Sequence, residues 1–274
     1  MVTVNLDKIF NPRSVAIVGA SEEEGTVGQI LMTNLTQSGF DGKVYPVNIR
    51  RKEIMGQKAY PRVGEIPDSI DLAIIATPAK TVPSIVEECG KAGIIGIIII
   101  SAGFREIGEE GRDLEKQLTE LKNQYNLRII GPNCFGIIRP NIKLNGTFAE
   151  SMPRAGNIAF ISQSGALGSA ILDWANEQNI GFSHFVSVGS MIDVDFGDLI
   201  DYFGTDPQTR SILMYIEGIS NARKFMSAAR HFAKTKPMIV VKAGKFSESA
   251  KAAASHTGSL TGSDMVYDAA FKRA

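Results

Sequence analysis

The sequence predicts an α/β protein made of two doubly wound parallel sheets in tandem. Three observations carry this prediction. Continuously apolar runs alternate with segments of helical period, a glycine-containing turn separates the first run from the first helix, and 274 residues are enough to bury two cores. Strands of a parallel sheet are covered on both faces by crossover helices, so they are apolar throughout instead of alternating with polar residues.

The first strand is residues 14–19 (SVAIVG), rich in β-branched side chains, and a helical pattern follows over 26–38. Further strands are expected at 43–47, 71–77, 94–101 and 127–131, with helices at 80–92 and 110–125. Over 142–156 the pattern weakens into polar residues with Pro153 and Gly156, which places a boundary near Glu150 and predicts domains 1–150 and 151–274. The second series has strands at 157–161, 182–188, 211–216 and 238–241, alternating with helices at 165–178, 197–203 and 222–233. Residues 265–274 (MVYDAAFKRA) read as an amphipathic helix without a glycine or proline stop, as expected of a piece of a longer polypeptide.

Charge narrows the function. With 29 Lys+Arg against 29 Asp+Glu the chain lacks the cationic excess that sequence-independent nucleic-acid binding needs, so no nucleic-acid partner is expected. The longest apolar stretch, 92–102, is interrupted by Gly93 and Gly96 and is too short to span a bilayer; no membrane partner is expected. The first residues carry no basic and apolar export signal, so a cytoplasmic protein is expected. Cys89 and Cys134 are too few and too far apart for a disulfide framework or a zinc site, and no metal ligands are predicted.

The loop Gly19-Ala20-Ser21-Glu22-Glu23-Glu24-Gly25-Thr26-Val27-Gly28 lies between the first strand and the first helix. Glycines let backbone approach a diphosphate, and the helix start offers free N–H groups and a favourable dipole. The Lys-Ser/Thr pair of an ATP-binding P-loop is absent, and the three glutamates are expected to face solvent. An NAD site would want an acidic residue after the second strand, whereas this chain has Asn48-Ile49-Arg50-Arg51-Lys52. Three cations suit the phosphorylated ribose of CoA or NADP, and equally suit a plain solvated cluster.

The motifs GAS…GTVG, YPVN, ATPAKTVP, ISAGF, GPNCFG, SQSGALG, YIEG and SHTGSLTGSD, in this order, resemble the α subunit or α region of ADP-forming (NDP-forming) acyl-CoA synthetases of the acetate–CoA ligase type. The layout is also similar to the α subunit of succinyl-CoA synthetase. The resemblance implies a Rossmann-like CoA-binding domain followed by a flavodoxin-like ligase domain. It places Gly19, Ser21, Gly25, Val27 and Gly28 around the CoA diphosphate, and Asn48 and Arg50 at the adenosine and its phosphate. Thr77-Pro78, Ser101 with Gly103, and Asn133 would line the pantetheine; Cys134 is expected to be a small buried residue.

The resemblance also makes His256 the residue that is phosphorylated. A neutral imidazole nitrogen is nucleophilic near pH 7, where lysine is protonated. Glu217 would orient that imidazole, and Ser162-Gln163-Ser164-Gly165 would present helix-start amides to the phosphate; an N-cap by Ser162 or Ser164 is compatible with that role. His184 and His231 lack such a context. No ATP-grasp segment is present in the sequence, so ADP/ATP and Mg²⁺ are expected on a partner β subunit or a further carboxyl-terminal region, in a hetero-oligomer or a fusion. Two other classes stay open: a catalytically silent CoA-binding regulatory module of an acyltransferase, and an NADP-binding oxidoreductase domain.

Overall fold

The computed structural model describes residues 4–244 together with Tyr267 and Phe271. The chain runs α1 (Asp7–Phe10), β1 (Ser14–Val18), α2 (Val27–Gln37), β2 (Lys43–Val47), β3 (Glu53–Ile54) and β4 (Gln57–Lys58). It continues through β5 (Leu72–Ile75), α3 (Val82–Lys91), β6 (Gly96–Ile99), α4 (Glu109–Tyr125) and β7 (Arg128–Ile130). Then come β8 (Gly136–Arg139), β9 (Leu144–Thr147), β10 (Ala155–Ser162), α5 (Gly165–Glu177) and β11 (Phe182–Ser187). The last described elements are α6 (Phe196–Thr205), β12 (Ser211–Ile216), α7 (Ala222–Phe232) and β13 (Met238–Lys242).

The first sheet has the order β2-β1-β5-β6-β7 and is parallel throughout, with Val15 opposite both Val44 and Leu72. Strand β1 is buried along its whole length, and its side chains alternate between two cores. Val15 and Ile17 join Ile74, Ile98 and Ile130 on one face; Ala16 and Val18 join Ala73, Ile75 and Ile97 under α3 and α4 on the other. The predicted strands and helices of this half are all present.

The second sheet has the order β13-β12-β10-β11-β8-β9. Its first four strands are parallel, as the sequence predicts, but β8 and β9 are antiparallel additions at the β11 edge. Both precede position 150, so the chain changes sheets between Ile130 and Gly136. Over 142–156 the sequence looks polar, yet β9 (LNGT) is fully buried. Its polar groups pair internally: Asn145 Oδ1 accepts from the Thr147 hydroxyl at 2.7 Å and from its amide at 3.2 Å.

One apolar cluster joins the two sheets. It contains Ile17, Ile74 and Ile98 from the first, Leu31 from α2, and Ile161, Val186, Ile212 and Ile216 from the second. After β11 the chain crosses back to the first sheet: Ser190 N donates to Pro132 O at 2.9 Å and Val194 N to Ile129 O at 3.1 Å. Asp193 fixes that crossing, accepting from Arg128 Nε at 3.0 Å and from Ile129 N at 2.9 Å. Among the described residues no helix is long and apolar enough to cross a membrane.

Candidate functional site

Each sheet has one point where successive connections leave in opposite directions, and the crevice beyond the strand ends there is where open α/β sheets bind ligands. In the first sheet that point lies between β1 and β5. Gly19, at the end of β1, has φ +94°, and a Cβ on it would fall 2.7 Å from the Ala76 carbonyl oxygen. Gly28, in the first turn of α2, lies so close to the loop that a Cβ would come within 2.0 Å of the Gly19 carbonyl oxygen. The two glycines draw the loop down onto the helix start. Between them Ser21 Oγ accepts from Glu23 N at 3.0 Å, Gly25 makes the turn, and Thr26 caps α2 by accepting from Gln29 N at 3.3 Å.

The end of β2 closes on the same loop. Asn48 Nδ2 donates to the Ala20 carbonyl at 2.8 Å, while its Oδ1 accepts from Arg50 N at 2.8 Å and Arg51 N at 3.0 Å. Its amide therefore builds the turn that carries the cations. Arg51 is held by Glu22 at 2.7 Å, so that glutamate pairs across the loop instead of being merely solvated. Arg50 is exposed and forms no ion pair among the described residues.

The neighbouring strand ends are tied in series. Ser101 Oγ donates to Thr77 O at 2.5 Å, and Asn133 N donates to Ser101 O at 2.9 Å. Thr81 Oγ1 donates to Pro78 O at 2.7 Å, and Gly103 N donates to Glu106 Oε1 at 2.7 Å. Cys134 is buried, its thiol near Ile99 O at 3.2 Å and pushed up to about 12 by burial. A small buried residue is what the sequence predicts there.

In the second sheet the corresponding point lies between β10 and β12. Gln163, just after β10, reaches across it: its Oε1 accepts from Glu217 N at 2.6 Å and from Gly218 N at 2.9 Å. Ser164 is the N-cap of α5, accepting from Leu167 N at 3.2 Å, and Ser162 Oγ braces it by accepting from Ser164 N at 3.1 Å. Gly165 opens the helix. Glu217 is buried at the end of β12, and burial together with its charge pushes the Tyr215 hydroxyl above the usual tyrosine range.

Both crevices open into one cavity of about 950 Å³. Val27, Thr77, Ser101 and Asn133 line it from the first sheet, and Gln163 and Gly165 from the second. Residues 13–140 match the family described as CoA binding domain, and residues 155–274 match the succinyl-CoA ligase like flavodoxin domain. The chain is 50% identical to acetate–CoA ligase (ADP-forming) I subunit alpha of Pyrococcus furiosus, covering 98% of this chain and 59% of that subunit. It belongs to the α subunits and α regions of the ADP-forming acyl-CoA synthetases.

Among other members, the chain is 41% identical to the 4-hydroxybutyrate–CoA ligase (ADP-forming) of Nitrosopumilus maritimus, covering 97% of this chain and 38% of that protein. A solved structure of the dinucleotide forming acetyl-coenzyme A synthetase 1 of Ca. Korarchaeum cryptofilum, in complex with phosphate and ADP, superposes with a TM-score of 0.94. The two are 44% identical, over 98% of this chain and 58% of that one. The chain thus spans under two thirds of the length of these relatives.

Within this synthetase α region, His256 lies outside the described residues. Gly19, Ser21, Gly25, Asn48, Arg50, Pro78 and Gly103, together with Gly28 in the first turn of α2, are not on the immediate wall of the cavity; the same holds for Ser162 at the end of β10, Ser164 and Glu217. Reading the sequence alone misses Gly189, Ser190 and Met191, which also line the cavity. They follow β11, so the strand-end rule that selects Thr77 and Ser101 applies to them equally. It also misses Phe135 and Phe148 as cavity residues; an isolated phenylalanine carries no signal that separates a wall from a core.

Proposed function

We propose that this chain is the CoA-binding and phosphohistidine-carrying part of an NDP-forming acyl-CoA synthetase. The reaction interconverts acyl-CoA, ADP and phosphate with the free acid, ATP and CoA. The observation that supports this reading is the shared cavity: the start of α2, through Val27 at the end of the glycine loop, and the start of α5, through Gln163 and Gly165, line one space.

In this reading Gly19, Ser21, Gly25, Val27 and Gly28 surround the CoA diphosphate, and Arg50, on the turn built by Asn48, meets the ribose phosphate. Thr77, Pro78, Ser101, Gly103 and Asn133 line the pantetheine. Inorganic phosphate sits at Ser162, Gln163, Ser164 and Gly165 and attacks the thioester carbonyl. The C–S bond breaks, CoA leaves as thiolate and takes a proton, and acyl phosphate forms. A neutral ring nitrogen of His256 then attacks phosphorus; the P–O bond to the acyl group breaks and the carboxylate leaves. Glu217 accepts a hydrogen bond from the other ring nitrogen and stabilises the charged ring. Phosphohistidine passes its phosphoryl group to ADP. The nucleotide and Mg²⁺ are assigned to an ATP-grasp β subunit or a fused carboxyl-terminal region.

The whole-chain identity to ligase subunits favours this reading over a CoA-binding regulatory module or an NADP-binding oxidoreductase domain. The test is labelling with acetyl phosphate, or with the ATP-grasp partner and ATP. The wild type is expected to take up an acid-labile, base-stable label that His256→Ala abolishes, and Glu217→Gln is expected to slow labelling while CoA still binds. A label that survives in His256→Ala would refute the phosphohistidine.

A further inference from the structure

One wall of the cavity is aromatic. Phe135, Phe148, Ala149 and Leu172 line it, and all four pack in the apolar cluster beneath α5. Phe135 is immobilised: its backbone N–H donates to Ser187 Oγ at 2.9 Å, and its ring stands edge-on to Phe185 at 6.3 Å. Phe148 is only partly buried and meets Phe135 edge-on at 4.4 Å. Its backbone is pinned from α2, because Asn34 Nδ2 donates to Thr147 O at 2.9 Å and to Ala149 O at 2.8 Å. The wall adjoins the phosphate end of the cavity. A Cβ on Gly165 would lie 3.5 Å from Phe135 Cβ, so the start of α5 abuts the aromatic pair.

We infer that Phe148, backed by Phe135, forms the acyl-group subsite and sets the size of the acid that the enzyme accepts. This rests on the acyl-CoA reading above. A phosphoryl group held at the start of α5 carries its acyl substituent onto these two rings, with the size limit set by the ring that has room to be replaced. The subsite takes an uncharged acyl group. Glu150 and Asp173 stand on the cavity beside Ala149 and Leu172. Among the described cavity-lining residues the cation is Arg105, whose Nε donates to both Glu115 oxygens at 2.8 and 2.7 Å. A second carboxylate on the acid would meet like charge and no unengaged cation.

The test compares wild type with Phe148→Ala, Phe148→Leu and Phe148→Trp in the full enzyme with its ATP-grasp part. The readouts are kcat/KM for acetate, phenylacetate and succinate, and the affinities for acetyl-CoA and phenylacetyl-CoA. Opening the wall is expected to raise the phenylacetate-to-acetate ratio at least about tenfold in Phe148→Ala, less in Phe148→Leu, and Phe148→Trp is expected to lower it. Succinate is expected to stay unused. If Phe148→Ala does not fold, the Leu and Trp variants read the same ratio with opposite signs. An active enzyme whose ratios stay unmoved in all folded variants, or a wild type that uses succinate as well as acetate, overturns the subsite alone. A wild type that forms no thioester and binds no acyl-CoA overturns the acyl-CoA reading itself.

Discussion

His184 sits inside β11 with both ring nitrogens buried and without a hydrogen-bond partner among the described residues. The ring packs at 4.6 Å on Phe203 and edge-on to Phe10 at 5.6 Å, and the nearest carboxylate oxygen, Asp206 Oδ2, is 3.6 Å from Nδ1. Burial first, and the nearby Arg139 charge second, hold its pKa down at about 3, against an ordinary 6.5. Between those values the unfolded chain binds a proton that the folded chain refuses. The stability from keeping this ring neutral is therefore full above pH 6.5 and is lost as pH falls toward 3, at up to about 1.4 kcal/mol per pH unit. His184→Leu is expected to change stability by no more than about 1 kcal/mol at pH 7, since it removes two unsatisfied polar atoms along with a ring contact. Urea midpoints at pH 7, 6 and 5 should show a shallower acid loss in the variant; parallel curves would remove His184 from the acid response.

The second site depends on how α5 is joined to β12. Ser164 satisfies one amide at the start of α5, but Gln163, one residue earlier, does the joining: one side-chain oxygen holds two successive amides beyond β12. Gln163→Ala leaves both amides without that acceptor in a partly buried place, which costs about 1–3 kcal/mol and lowers the melting temperature by several degrees. Gln163→Glu keeps the accepting oxygen and is expected to restore most of the loss. Thermal melts of the two variants decide this; equal destabilisation by both would mean that the amide group, not the shared oxygen, matters.

At the scale of the molecule, the two sheets share one of their cores. One cluster runs from Ile17 and Ile98 through Ile161 to Ile216, and the β11–α6 segment adds buried charge pairing between Asp193 and Arg128. Two units that share a core lose apolar burial on both sides if either unfolds first. Calorimetry is expected to show one cooperative transition covering both sheets. Asp193→Ala, which takes one of two carboxylate partners from Arg128, Asp198 remaining at 3.4 Å, and removes the acceptor of the Ile129 amide, is expected to cost about 1–3 kcal/mol. Two resolved transitions in the wild type would contradict the shared core.

The parallel strands were legible because strands such as SVAIV are covered on both faces and must be apolar throughout, and the helices because their apolar residues follow a helical period. The glycine loop and the strand-end turns were legible for a related reason: close backbone approach and helix capping demand particular residue types at Gly19, Gly28, Thr26 and Ser164. Strands β8 and β9 escaped notice because a four-residue strand such as LNGT, with polar groups satisfied by one another, has no period to read. The tertiary structure alone decided that Asn48 spends its amide on the Ala20 turn, that Glu22 neutralises Arg51, and that Phe135 and Phe148 meet at a cavity. Each of these is a contact between segments distant in sequence or a choice among partners. Local sequence constrains dihedral angles and burial along one element, whereas the common opening of two sheets onto one cavity depends on how their cores are fused.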